Sequence, residues 1–441
     1  MRWLLGGLVV LVLVVGGGLF WAMRHAAITP IDGPPVELSA ELIETGEVLT
    51  AVGDCVVCHT NTTGEPYAGG LPLETPFGTI HSTNITPDVE TGIGGWPLEA
   101  FRRAMHEGVD REGQYLYPAF PYDHFTRVSD TDVEAIYTYL MSLEPVVADI
   151  PENQLGFPFN QRILLAGWNL LFLDQGRFEP DPDQSEEWNR GAYLAEGLGH
   201  CGACHTPRNQ LGAVDRGQHF DGAPVEGWHA PALNALSPSL VPWTADTLVN
   251  YFLDGRDDFH GVAAGPMTPV VNELAYLSED DAYAIAAYVL SFQDQTDIDQ
   301  RIDTAEALAE SLNFGSPETP ADGPEPSSDP AIAAGQATFA RVCSNCHRAG
   351  TETAPLGGDA AVNGPDPRNL IHITLDGIVP PDAAFNSSMP AFDGALSDED
   401  LFNLVSFMRE HFSDEPAWTD LEAIIDEVRN EDTLAGTETV N

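Results

Sequence analysis

The sequence predicts an all-α protein of three tandem repeats behind an N-terminal anchor helix. Three observations carry that expectation. Apolar residues recur mostly at helical spacing, and strand-like alternation is scarce. One pentapeptide pattern, Cys-x-x-Cys-His, occurs three times along the 441 residues. Each copy follows a glycine by eight to ten residues: Gly46, Gly191 and Gly335. This is the mark of a diverged internal repeat.

The anchor is expected within residues 1–24. Residues 3–23 are almost wholly apolar, with Arg2 before and Arg24 after. Their length suits a bilayer crossing, with Trp3 and Trp21 near its two interfaces. A cleaved signal peptide is the competing reading, although its apolar region is usually shorter. Either reading exports the rest of the chain. Residues 28–37 hold three prolines and read as a linker.

The first repeat is placed at 38–148, the second at 187–295 and the third at 331–413. The first opens with a helix from Ser39 to Val52, with Ser39 as the start signal. Each repeat closes on a matching helix start: Ser129-Asp130-Thr131-Asp132, Ser278-Glu279-Asp280-Asp281 and Ser397-Asp398-Glu399-Asp400. The serine caps the helix, and acidic residues favour its positive end. Apolar residues follow at helical spacing: Ile136, Tyr139 and Leu140, then Ile285, Tyr288 and Val289, then Leu404, Phe407 and Met408.

Between the first two repeats, 149–186 is too apolar for a free linker. Phe157, Phe159, Trp168, Leu170 and Leu171 belong to a packing helix or to a patch that meets a partner or the membrane. In contrast, 296–330 is acidic and, towards its end, proline-rich. It reads as a flexible or extended tether. Residues 414–441 form an acidic tail with one helix near 418–428.

The pentapeptides carry the chemistry. They are Cys55-Val56-Val57-Cys58-His59, Cys201-Gly202-Ala203-Cys204-His205 and Cys343-Ser344-Asn345-Cys346-His347. This is the c-type haem attachment pattern. Two thiols one helical turn apart reach the two vinyl groups on one haem edge, and the histidine becomes the proximal iron ligand. A lone Cys-x-x-Cys also fits a redox dithiol or half a zinc site. Structural zinc half-sites would have to converge from 146 and 142 residues apart. The three motifs use all six cysteines, which leaves none for a disulfide or an iron–sulfur cluster. The expected cofactors are three haem c groups.

An electron-carrying haem usually has a second protein ligand, and methionine there raises the potential. Met267 lies 62 residues after His205, and Met389 lies 42 after His347. Both are expected ligands, with core methionine the plainer alternative. The first repeat departs from this pattern. Its loop Tyr117-Pro118-Ala119-Phe120-Pro121 has Phe120 where methionine is expected. Met105, three residues before Gly108, is the favoured substitute, as Phe252 stands three before Gly255. His124 is the rival, His81 and His106 are weaker, and an open iron is the remaining choice.

The net charge is −50, and all 18 basic residues are arginine. Nucleic acid is excluded as a partner, because its phosphates would be repelled. Such acidity keeps the chain soluble and steers basic partners. A proteome-wide acidic bias, as in a salt-adapted organism, is the plainer account.

A helix, an attachment motif, loops, a methionine and a closing helix resemble the class I cytochrome c fold. Longer runs add to the resemblance: Pro76-Phe77-Gly78-Thr79-Ile80, Ser82-Thr83-Asn84-Ile85-Thr86-Pro87-Asp88, Thr91-Gly92-Ile93-Gly94, Leu116-Tyr117-Pro118-Ala119, and Gly191-Ala192-Tyr193 through Cys204-His205-Thr206-Pro207-Arg208-Asn209. With these, nearly the whole chain resembles the three-haem cytochrome c subunits of membrane-bound bacterial dehydrogenases. The resemblance implies a large dehydrogenase subunit as partner. One branch serves quinoprotein (PQQ) alcohol or sugar-acid dehydrogenases. The other serves molybdenum hydroxylases with an iron–sulfur subunit, acting on aldehydes or N-heteroaromatics. Phe120 with Asp123-His124-Phe125 looks closer to the second.

The expected role is an electron-transfer subunit that is not itself catalytic. It would pass electrons to ubiquinone or a terminal oxidase, at the bacterial cytoplasmic membrane with the haem domains facing the periplasm. No dinucleotide fingerprint or P-loop is present. The alternatives are a self-contained haem enzyme of peroxidase or thiosulfate-oxidising type, using an open first haem, and a free membrane-anchored shuttle.

Overall fold

The computed structural model describes residues 24–33, 38–315, 323–351, 353–378 and 388–437, with side chains as far as residue 430. They divide into two compact units. The first holds residues up to 180 with 196–200, and the second holds 181–195 with everything from 201 onward.

In the first unit, helix α1 (Ala40–Val52) crosses α3 (Asp130–Ser142), and α2 (Leu98–Glu107) packs against α3. Ser39 caps α1 by accepting from Leu42 N, and Ser129 caps α3 by accepting from Asp132 N. These side chains satisfy N–H groups that a helix start leaves unpaired. The crossing is close because it is made at Gly46. A Cβ there would overlap the Ala135 carbonyl and crowd the Cβ of Tyr139. Leu49, Val52, Phe101, Ile136, Leu140 and Met141 are buried around it. Each such side chain stabilises the fold by about 1.5–3 kcal/mol when fully buried.

A small antiparallel sheet edges this unit. Strand β1 (Pro72–Leu73) pairs with β2 (Gly78–His81), and β2 pairs with β3 (Gln154–Leu155). The register sets Leu73 opposite Ile80, and Gly78 opposite Leu155. The apolar stretch after α3 therefore folds back on the first repeat. Its helix α4 (Leu165–Phe172) buries Ala166 with Val109 and Tyr115. Tyr122 Oη donates to Asn169 Oδ1 at 2.7 Å, and Asn169 Nδ2 donates to the Glu107 carbonyl at 3.2 Å. Phe157 and Leu170 stay 83% and 82% exposed, so part of this stretch lies on the surface of the unit.

The second unit contains two more crossings of the same design. Helix α5 (Glu186–Tyr193) passes α8 (Glu279–Leu290) at Gly191, under the Ala284 carbonyl. Between them in the chain lie α6 (Ala245–Asp254) and α7 (Met267–Leu274). After α9 (Ile298–Ser311), α10 (Pro330–Val342) passes α12 (Asp398–Phe412) at Gly335, under the Asn403 carbonyl. Helix α11 (Arg368–Asp376) precedes α12, and α13 (Leu421–Thr437) follows it. Ser278 and Ser397 cap α8 and α12 by accepting from Asp281 N and Asp400 N. Two hairpins complete the unit. They are β4 (Ala223–Val225) with β5 (Trp228–Ala230), and β6 (Arg256–Asp257) with β7 (Gly261–Val262).

The expectation of an all-α chain behind a membrane-anchor helix is corrected. Seven short strands form three antiparallel sheets among the described residues. They are two to four residues long, too short for a period of two to show in sequence. No described helix is long and apolar enough to cross a membrane. The longest, α13, has 17 residues and several carboxylates, whereas a span needs about 20 apolar residues. Residues 3–23, where the sequence places the anchor, lie outside the described residues.

The tether expectation changes as well. Residues 298–311 form α9, which buries Ala305 and Ala309 against Val241 and sets Ile302 beside them.

Candidate haem centres

All three pentapeptides adopt the same turn. The carbonyl of the first cysteine accepts the histidine N–H, at 2.9 Å for Cys55 and His59 and 3.0 Å for the other two pairs. This i to i+4 bond sets the two thiols one helical turn apart. In each motif the first cysteine is half-buried and the second is exposed. The chain arrives differently at each. Asp54, at φ +54°, turns α1 into the one-turn helix Cys55–Cys58. Cys201 caps the one-turn helix Gly202–His205. Cys343 ends α10 directly.

The histidine rings are oriented from behind. His59 Nδ1 lies 2.6 Å from the Thr83 carbonyl, and His205 Nδ1 lies 2.7 Å from the Pro231 carbonyl. A ring that donates through Nδ1 keeps its Nε2 lone pair for a metal, which is how metal-binding histidines are commonly held. His347 Nδ1 is buried without a hydrogen-bond partner. Desolvation holds all three imidazoles below the ordinary histidine range, which favours the neutral form that ligation requires. Burial, with Cys346 beside it, pushes the Cys343 thiol up to about 11.

Residues 330–408 match the family model of cytochrome c oxidase, cbb3-type, subunit III. Over 390 residues the chain is 37% identical to the gluconate 2-dehydrogenase cytochrome c subunit of Pantoea cypripedii. That match covers 83% of this chain and 85% of the relative. The chain belongs to the cytochrome c subunits of membrane-bound dehydrogenases. The fructose dehydrogenase cytochrome subunit of Gluconobacter japonicus is 32% identical, with 92% and 86% covered. A subunit of the nicotinate dehydrogenase of Pseudomonas putida is 44% identical across 92% of this chain. The chain spans only 33% of that protein's length.

In this dehydrogenase cytochrome subunit the donor set fits haem c. Paired thiols, one half-buried and one exposed, lie one turn apart, with a half-buried imidazole directly after them. The methionines are placed as follows. Met267 opens α7, two residues after Gly265, whose φ of +55° sets it against the Trp228 indole. Met389 is half-buried in an antiparallel bridge with Ile378, with N–H to carbonyl distances of 2.9 and 3.1 Å. Met105 is buried on α2, and Phe252 is buried at the matching place on α6. Each precedes by three residues a helix-ending glycine at positive φ, Gly108 or Gly255.

The rival side chains are also placed. Phe120 is half-buried and packs on Phe125. His124 Nδ1 lies 3.1 Å from the Glu196 carbonyl, and its Nε2 is buried without a hydrogen-bond partner. His106 Nε2 is engaged with the Val128 carbonyl at 3.1 Å. His81 Nδ1 is buried without a partner.

Sequence reasoning missed the carbonyls that steer the histidines, because backbone atoms leave no residue signature. The run Ser82-Thr83-Asn84 held the best signal. Asn84 Oδ1 accepts from Thr86 N–H and hydroxyl, and Asn84 Nδ2 donates to Thr91 Oγ1 and the Val146 carbonyl. This network fixes the loop that offers Thr83 to His59.

Proposed function

We propose that the chain carries three covalently bound haem c groups and relays electrons from a catalytic dehydrogenase subunit to the respiratory chain. The observation that carries this reading is the shared turn at all three pentapeptides, with exposed thiol, half-buried thiol and half-buried imidazole at each. Bound haem supplies one-electron redox chemistry, which links a two-electron donor to a membrane acceptor. The residues supply binding and orientation. Cys55 and Cys58, Cys201 and Cys204, and Cys343 and Cys346 form the thioether links. His59, His205 and His347 present Nε2 to the iron, two of them steered by backbone carbonyls. Met267 and Met389 would supply the second protein ligand at the second and third sites. Met105 serves the first, in place of the phenylalanine loop.

The partner we favour is a molybdenum hydroxylase with an iron–sulfur subunit over a PQQ dehydrogenase, on the form of the Phe120 loop with Asp123-His124-Phe125. The acceptor is ubiquinone or a terminal oxidase. The haem domains work on the periplasmic face of the cytoplasmic membrane, because thioether attachment follows export.

Intact-mass spectrometry of the purified chain counts the haems, and three additions are expected. Mild-detergent purification from native membranes, with metal and quinone assays, then identifies the partner. Molybdenum with a large second subunit supports the hydroxylase branch, and a PQQ protein overturns it. Purification as a single polypeptide removes the fixed-partner reading.

A further inference from the structure

We infer that the stacked pair Trp228 and His372 is the point where electrons cross between the second and third haem sites. This rests on the relay reading above. Trp228 lies on β5 in the second repeat, His372 lies on α11 in the third, and both belong to the second compact unit. Their ring centroids are 4.6 Å apart and the planes differ by 14°.

The neighbouring residues fix this register. His229 N donates to Asn369 Oδ1, and Asn369 Nδ2 donates back to the His229 carbonyl, each at 2.8 Å. The amide of Asn369 thus pairs with the strand backbone as a second strand would, and β5 cannot slide along α11.

Trp228 is connected to both proposed ligands of the second iron. Three residues on, the Pro231 carbonyl holds His205 Nδ1. On its other side the indole lies against Gly265, two residues before Met267. His372 is connected in turn to the third site. It is 5% exposed, near the end of the helix that leads through Gly377 into the bridge between Ile378 and Met389. Its Nδ1 faces the Asp376 carboxylate at 3.2 Å, whereas its Nε2 is buried with no hydrogen-bond partner. An unpaired buried nitrogen costs free energy that a leucine at this position would avoid.

The step is a simple one. One electron leaves one site and arrives at the other, so one iron is oxidised as its neighbour is reduced. No bond forms or breaks, no proton moves, and both rings keep their oxidation state.

The test uses the purified, fully haem-loaded chain. Inter-site transfer is followed after flash or pulse reduction, and haem potentials are titrated in parallel. His372→Leu is the first variant, because it leaves Trp228, the ring that lies against Gly265, in place. Its inter-site rate is expected to fall about tenfold, equal to about 1.4 kcal/mol of barrier, with potentials unchanged. His372→Phe, which keeps a flat ring, is expected to retain most of the rate. A wild-type rate in the leucine variant overturns the assignment, as does a phenylalanine variant slowed as much as the leucine one. If His372→Leu fails to fold, Asn369→Ala carries the same test by freeing β5 from α11 while leaving both rings. Slower transfer supports the junction, and an unchanged rate overturns it. A wild-type chain with no transfer between sites overturns the relay itself, which separates that failure from failure of the stack.

Discussion

Met105 and Phe120 set the first site apart from the other two. A phenylalanine ring cannot donate to iron, and Met105 is buried at the helix position that Phe252 occupies in the second repeat. Met105→Leu is expected to remove one of three methionine–iron signatures in near-infrared magnetic circular dichroism and to lower one haem potential. His124→Gln is expected to leave both unchanged. The reverse result would reassign the ligand. A second side chain, Tyr137, contributes to behaviour in alkali. It is buried and donates to the Trp96 carbonyl at 2.8 Å. Burial pushes its phenol from 10.0 up to about 12. The folded state therefore holds the neutral form. Its contribution is complete below pH 10.0 and is lost as pH rises towards about 12. Tyr137→Phe should flatten the fall of melting temperature across that window and cost about 1 kcal/mol at neutral pH.

Among the elements, the three helix crossings share one device. Gly46, Gly191 and Gly335 each lie under a carbonyl of the partner helix, with no room for a Cβ. Gly46→Ala should destabilise the first unit by about 1–3 kcal/mol, seen as a lower melting temperature. Gly167, inside α4, has open space around it. There alanine should stabilise by about 0.5–1 kcal/mol, by helix propensity alone. These glycines were visible in the sequence as landmarks, but the carbonyls above them were not. The serine caps were legible because a cap is local, made by a side chain three residues from its target. The strands were not, since two to four residues carry no period. Helix α9 hid for another reason. Its inward face is Ile302, Ala305 and Ala309, and small apolar residues among acids give a weak signal. At the three pentapeptides the grouping of thiols and imidazole was legible, because the residues are adjacent in sequence. Their carbonyl supports come from 24 and 26 residues away and were not.

For the whole molecule, the net charge of −50 makes encounter with partners dependent on salt. The Debye length shrinks from about 30 Å at 0.01 M to about 8 Å at 0.15 M salt. Reduction of a basic electron acceptor by the pre-reduced chain should therefore slow steeply over that range, and stopped-flow mixing measures it. A rate insensitive to salt would show that the charge serves solubility alone.

The return of β3 and α4 to the first repeat determines where the chain can be divided. A fragment ending at residue 148 would leave Gly78 and Thr79 without their strand partners, Tyr122 without Asn169, and Val109 and Tyr115 uncovered. One ending at residue 180 keeps all of these. Limited proteolysis should accordingly release an amino-terminal piece that runs past α4, and cuts before β3 should be rare.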